Sequence, residues 1–208
     1  MKSFVPVVVA GALAAATGTA AAGDETDERP WSISATAYAY VVPDEPDFIM
    51  AIVPADVRLL HLEARYNYEA QRSGSAFIGL NVRWGEKLKL VFTPMFGGVA
   101  GDLDGLIPAL RLQLAWWKLD LFSESEIVFS LDDSGESFFY NWSELGILPV
   151  PWLRTGIVAQ RTRVYQTPLD TQRGLFVSGT YRFLTLTLYE FNLGWTTPTW
   201  VVALSAAF

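Results

Sequence analysis

The chain has 208 residues, enough for one domain, of which 51% are apolar and 14% aromatic, and its net charge is -7. With a pI near 4.7 it is not drawn to nucleic acid or to anionic lipid surfaces, and having no cysteine it has neither disulfides nor thiolate metal sites. Mean hydropathy is +0.24, yet no apolar run of about 18 residues follows the first two dozen positions, so the choice lies between a large buried core and a barrel that turns its apolar face to lipid.

Met1 and Lys2 form a short basic start, positions 4–15 are apolar, and Ala20, Ala21 and Ala22 offer small residues for cleavage before Gly23. This predicts a signal peptide over 1–22, a short periplasmic tail over 23–30 and one barrel domain over 31–208. The tail, GDETDERP, is acidic. It and the acidic stretches at 44–47 and 132–136 read as a solvated tail and loop tips.

From position 31 the chain becomes a succession of alternating segments of roughly ten residues. The pattern predicts strands over 31–42, 48–54, 58–69, 75–84, 88–99, 105–116, 118–131, 137–145, 151–164, 172–182, 184–193 and 199–208. In 60–68, Leu60, Leu62, Ala64, Tyr66 and Tyr68 fall on one side, and His61, Glu63, Arg65 and Asn67 on the other. No helix sorts residues that way. Segments 76–84, 88–96, 106–116, 118–131, 175–182 and 184–189 repeat the division. The last strand carries Trp200, Val202, Leu204, Ala206 and the terminal Phe208 on one face.

Twelve is an even number and returns both ends of the sheet to the same side; ten strands follow if 48–54 pairs differently. Very short links at 55–57, 85–87, Trp117 and Phe183 alternate with longer polar ones, the arrangement of periplasmic turns and external loops. Trp31, Tyr68, Trp84, Trp116, Trp117, Trp152, Tyr165, Tyr181, Trp195 and Trp200 fall near strand ends, where amphipathic rings favour the headgroup level as two girdles.

The leader, the alternation and the terminal aromatic together resemble bacterial outer-membrane β-barrels over essentially all of 31–208. Segments 60–69 (LHLEARYNYE), 96–105 (FGGVAGDLDG) and 138–146 (FFYNWSELG) are similar to those of a group of small barrel proteins. The resemblance implies an all-β, closed antiparallel transmembrane barrel in the cell outer membrane. It implies contact with outer-membrane lipid and lipopolysaccharide, and handling by the barrel-assembly machinery through the strand ending at Phe208. It supplies no catalytic residue.

The alternation sends His61, Glu63, Arg65, Arg83, Lys89, Arg111, Asp120, Glu124, Glu126 and Arg154 inward as the lumen lining. Buried charge must be paired or wet, so mixed signs in a narrow barrel predict a salt-bridge lattice, with the lining of a narrow aqueous pore as the competing reading. His61 is the only histidine, and with Glu63 it is the sole candidate base. No G-x-S-x-G accompanies it, and Ser123, Ser125 and Ser143 cannot be placed beside it from sequence. Gly97, Gly98, Gly101 and Gly105 lack the Gly-Lys-Ser/Thr of a phosphate loop, and one histidine without thiols leaves only oxygen ligands; no cofactor and no metal are expected. The functional expectation is a non-enzymatic barrel, either a narrow channel for small polar or ionic solutes or a structural membrane component. The alternatives are an outer-membrane enzyme acting on lipid or lipopolysaccharide with His61 as base, and a soluble lipocalin-like barrel with the same alternation turned inside out.

Overall fold

The computed structural model describes residues 31–41, 46–132, 135, 137–164, 170–194 and 197–208; the expected signal peptide and tail lie outside them. The described residues form one sheet of thirteen segments: β1 (Ser32–Val41), β2 (Phe48–Val57), β3 (Leu60–Tyr66), β4 (Gly74–Leu80), β5 (Val82–Trp84), β6 (Leu88–Ala100), β7 (Gly105–Trp116), β8 (Leu119–Ser130), β9 (Phe138–Val150), β10 (Leu153–Val164), β11 (Asp170–Tyr181), β12 (Leu184–Phe191) and β13 (Thr199–Ala207). Segments β4 and β5 both pair with β6 and are two halves of one strand, so the barrel has twelve. Every pairing is antiparallel between neighbours in sequence except the seam, where β1 meets β13 from Ser34↔Ala207 to Val41↔Trp200. The Phe208 amide donates to the Ile33 carbonyl at 2.8 Å and completes that seam.

Among the described residues closure pairs the strands on both sides except at the short β5, which pairs with β6 alone, and such pairing is what lets a sheet sit in a medium without hydrogen-bonding partners. The outer face is apolar. Ile157 is 55% exposed, Leu186 56% and Leu204 51%, and on the same strands Val158, Thr187 and Ala203 are buried. The inside-out arrangement of a soluble barrel is therefore not the one this chain adopts.

Strand limits depart from the alternation where proline and polar side chains intervene. Strand β2 runs past Pro54 to Val57. Proline has no amide to give, and the β1–β2 ladder is interrupted beside it, between Ala55 and Ile52, although β2–β3 runs unbroken. Pro108 interrupts β7–β8 in the same way, between Leu106 and Ala109. The expected strand over 75–84 breaks at Asn81, whose amide turns to the Leu59 carbonyl at 2.7 Å. Strand β9 continues to Val150 rather than ending at 145.

The start of β1, the end of β13 and the tight links at 58–59, 85–87, 117–118, 151–152 and 182–183 lie at one end, here the turn end; the longer links make the loop end. Trp31, Trp84, Trp116, Trp117, Trp152 and Tyr181 are exposed at the turn end, and Tyr66, Phe129 and Trp200 near the loop end. Tyr68, expected in a girdle, is 1% exposed and turns inside, because the chain leaves the strand after Tyr66 and Asn67 takes a positive φ of 56°. Tyr165 and Trp195 lie outside the described residues.

Candidate functional site

The barrel interior carries the chemistry. Strand β3 presents His61, Glu63 and Arg65 inward, β7 presents Arg111, and β8 presents Asp120, Glu124 and Glu126; β9 and β10 add Glu144 and Arg154. All nine are buried. Alternation puts them there, since on each strand they share the face opposite the leucines and isoleucines.

Arg65 is the hub. Its Nε donates to Glu63 at 2.6 Å, its Nη1 to Glu126 at 2.8 Å and its Nη2 to Glu124 at 2.8 Å, with Glu69 at 3.5 Å. The guanidinium lies 4.2 Å from the ring centroids of both Tyr68 and Phe77. Because β3 and β8 are not neighbours in the sheet, the bonds to Glu124 and Glu126 cross the lumen. Arg111 adds a second bridge from Nε to Glu124 at 2.7 Å and from Nη2 to Glu63 at 2.7 Å. Planar, five-donor guanidiniums suit such shared carboxylates better than an ammonium would.

Around Arg154 a second lattice forms. Its Nε donates to Asp120 at 2.9 Å and its Nη1 to Glu144 at 2.6 Å; Nη2 also bonds Asp120. Gly146 makes room, since a Cβ there would come within 2.7 Å of Arg154 Nε and 2.8 Å of the Asp120 carboxylate. Glu144 accepts from the Trp142 indole at 3.0 Å and from the Tyr189 hydroxyl at 2.9 Å. Those rings belong to an aromatic cluster the sequence did not announce: Trp142 lies edge-on to Tyr189 and Phe191, each at 5.5 Å, beside Tyr38, Tyr140 and Phe176. A clue was present in FFYNWSE, where Tyr140 and Trp142 alternate in step with Glu144.

His61 closes the lattice towards the turn end. Its Nδ1 sits 2.8 Å from Asp56 Oδ1 and its Nε2 3.3 Å from Arg111 Nη1. A carboxylate only accepts, so Nδ1 donates to Asp56, while Nε2 faces both a donor, Arg111 Nη1, and an acceptor, Glu63 Oε2 at 3.5 Å. The serines weighed as nucleophiles lie on the other side of the wall. Ser123 and Ser143 bond each other at 2.9 Å, and the Asn141 amide donates to Ser125 at 3.0 Å, all out of register with His61. No general-base pair with these serines is assembled.

Arg83 and Lys89 share the inward register, next to buried Asn81 and Thr93, but are exposed at the turn-end mouth. Arg83 donates to the Arg58 carbonyl at 2.7 Å. Among the described residues six carboxylates (Glu63, Glu69, Asp120, Glu124, Glu126, Glu144) face three guanidiniums in the buried interior. Glu69 Oε2 and Glu126 Oε1 are buried without a hydrogen-bond partner. Among the described residues no group of three or more His, Cys, Asp or Glu side chains is disposed to hold a metal ion.

No protein-family model matches the chain, and no curated protein sequence matches it. Solved structures do match. KdgM porin aligns at a TM-score of 0.57 and 11% identity, over 84% of this chain and 99% of that one, which places the chain in the same fold. OccK5 (OpdH) of Pseudomonas aeruginosa aligns at 0.43 and 10% identity over 88% of this chain and 68% of its own. OpdQ of Pseudomonas aeruginosa aligns at 0.46 and 9% identity, over 81% of this chain and 57% of its own.

Proposed function

We propose that this barrel spans a bacterial outer membrane, turn end to the periplasm, and passes small polar or ionic solutes along its ion lattice. One observation carries the reading: a closed sheet clad outside in leucine, isoleucine and aromatic side chains encloses a lattice of buried charge. An apolar plug would fill a barrel at lower cost, because replacing buried ion pairs by packed hydrophobic residues is often neutral or stabilising. Salt bridges, unlike stacked rings, can exchange partners with an arriving ion or water, so the path follows Arg65, Arg111 and their carboxylates. The same fold in KdgM porin supports it.

Planar-bilayer recording tests the proposal. Reconstituted barrel conducts, and Arg111→Ala or Glu124→Ala changes the unit conductance; a silent wild-type barrel contradicts it. With carboxylates in excess, the reversal potential in a salt gradient takes the sign of cation selectivity, and anion selectivity overturns that part.

A second reading is a structural membrane component. The fully buried cluster of Tyr38, Tyr140, Trp142, Tyr189 and Phe191 favours it, since those rings block one side of the axis, and it predicts no conductance. In either reading the outer wall meets outer-membrane lipid and lipopolysaccharide, and the seam strand β13 with Phe208 is the part the assembly machinery would read.

A further inference from the structure

One sector of the outer wall is polar. Ser125, Asn141, Arg161 and Thr171 stand in a single row across β8 to β11. Asn141 is satisfied locally, donating to Ser125 and accepting from Ser143. Arg161 is exposed and shares the outward parity of Ile157, while Gln160 beside it is buried. Arg173, also exposed, pairs with Ala159 and so lies diagonal to Arg161, about 7–8 Å away. Arg173 already has an interaction of its own, and Glu190 sits diagonal to it on β12, so Arg161 is the cation on which the sector turns. A guanidinium on a lipid-facing wall is costly at the bilayer midplane and tolerated towards the headgroups; β10 ends at the loop side just beyond it, at Val164.

Beside this cation the wall is grooved. Pro108 has no amide to give, the β7–β8 ladder is interrupted there, and a groove of about 250 Å³ opens, lined on its outward side by Pro108, Leu110, Ser125, Ile127 and Phe139. Its exposed surface is almost wholly apolar. Phe139 pairs with Ile127 on β8, and Asn141, two residues on, pairs with Arg161, so the groove ends diagonally against the guanidinium. We infer that Arg161 and this groove form a binding site for a phosphorylated lipid, with the phosphate on the guanidinium and one acyl chain along the groove. In a bilayer some chain fills such a groove whichever lipid supplies it, and the cation selects the lipid. A planar guanidinium matches phosphate oxygens two at a time, and a headgroup without a cation of its own leaves no competitor for them. The inference rests on the membrane-spanning reading above and not on conduction.

The chain has no cysteine, so a fluorophore can be placed at will. One is attached at Ala159→Cys, on the outer wall beside Arg161, and in a second protein at Ile49→Cys, an exposed outward position on β2 across the barrel from β9. Each is reconstituted in phosphatidylcholine vesicles containing a minor share of phosphatidic acid or of phosphatidylcholine brominated on its chains, which quenches on contact; heat-modifiable gel mobility verifies folding. Brominated phosphatidylcholine quenches both labels. The ratio of quenching by phosphatidic acid to quenching by phosphatidylcholine is several-fold higher at 159 than at 49. Arg161→Gln brings the two ratios together, and Arg161→Lys keeps part of the difference. Ser125→Phe, which fills the groove and leaves the charge, lowers the ratio at 159. Equal ratios in the unaltered barrel, or a difference that survives Arg161→Gln, overturn the site while the spanning reading stands. A ratio unmoved by Ser125→Phe overturns the groove as the seat of the chain. Absence of quenching by either lipid at either position overturns the spanning reading, and the site with it.

Discussion

Replacing Arg65 by methionine removes the charge at the centre of the lattice and keeps an apolar stem between the Tyr68 and Phe77 rings. Arg65 holds Glu63, Glu124 and Glu126 within 2.8 Å and Glu69 at 3.5 Å, and its side chain has no exposure. Removing one partner from a buried ion pair costs about 3–5 kcal/mol, because the charge left behind stays buried without its partner; here Glu63 and Glu124 keep Arg111, while Glu126 loses the guanidinium it pairs with. At about 1.4 kcal/mol per tenfold change, that is two to nearly four orders of magnitude in the folding equilibrium. The assay is denaturant unfolding of the barrel in lipid vesicles, followed by tryptophan fluorescence, with Trp142 as the interior reporter. Adding Glu126→Gln to Arg65→Met should restore part of the loss, since contacting residues do not contribute additively. A loss below about 1 kcal/mol, the scale of an exposed pair, would refute the claim that these bonds are buried within the barrel.

Other consequences follow from single residues. Gly156→Ala places a Cβ 2.0 Å from the Leu145 carbonyl oxygen, whereas a Cβ at Gly179 meets nothing within 4 Å; the first should cost about 1–3 kcal/mol and the second less than about 0.5 kcal/mol, and equal costs would discredit the β9–β10 register. Ile157→Arg, on the outer wall, should destabilise by about 2–4 kcal/mol near the bilayer midplane, read by the same unfolding assay; indifference there would mean that lipid does not touch β10. Burial, opposed by Arg65 and the Ser75 hydroxyl, holds the carboxyl of Glu69, in the link beyond β3, above its ordinary range. Above the ordinary value of about 4.3 the folded state therefore binds more proton than the unfolded one, and stability falls as pH rises towards the folded value. Glu69→Gln removes this slope, so wild type should lose stability relative to the variant as pH climbs from about 4; a gain instead would reverse the assignment.

Period-two alternation made most of the fold legible. A residue's inward or outward register follows from parity once one face meets lipid, which is why Glu63, Arg65, Arg111, Glu124 and Arg154 could be placed inside from spacing alone. Parity says nothing about depth. Arg83 and Lys89 have inward parity and still reach solvent, because exposure at a mouth depends on where the strands end. Aromatic residues misled for a related reason: position near a strand end suggests a girdle, but Tyr68 lies past the end of β3, where the chain turns and carries its ring inside. The interior rings were hidden because Tyr140 and Trp142 reverse the usual assignment of apolar residues to lipid, leaving Asn141 and Ser143 outside to satisfy one another. Pro54 and Pro108 lie within expected strands, and each interrupts the ladder on one side while the other side continues.

The most direct measurement is residue-by-residue accessibility along β12, with single cysteines introduced from Leu184 to Phe191 and labelled by spin probes. Period-two alternation is expected: Leu184, Leu186 and Leu188 collide with oxygen dissolved in lipid, and Thr185, Thr187 and Tyr189 do not. Uniform accessibility, or lipid contact at Thr187 and Tyr189 in place of the leucines, would contradict a barrel that keeps its leucines in lipid and its charges within.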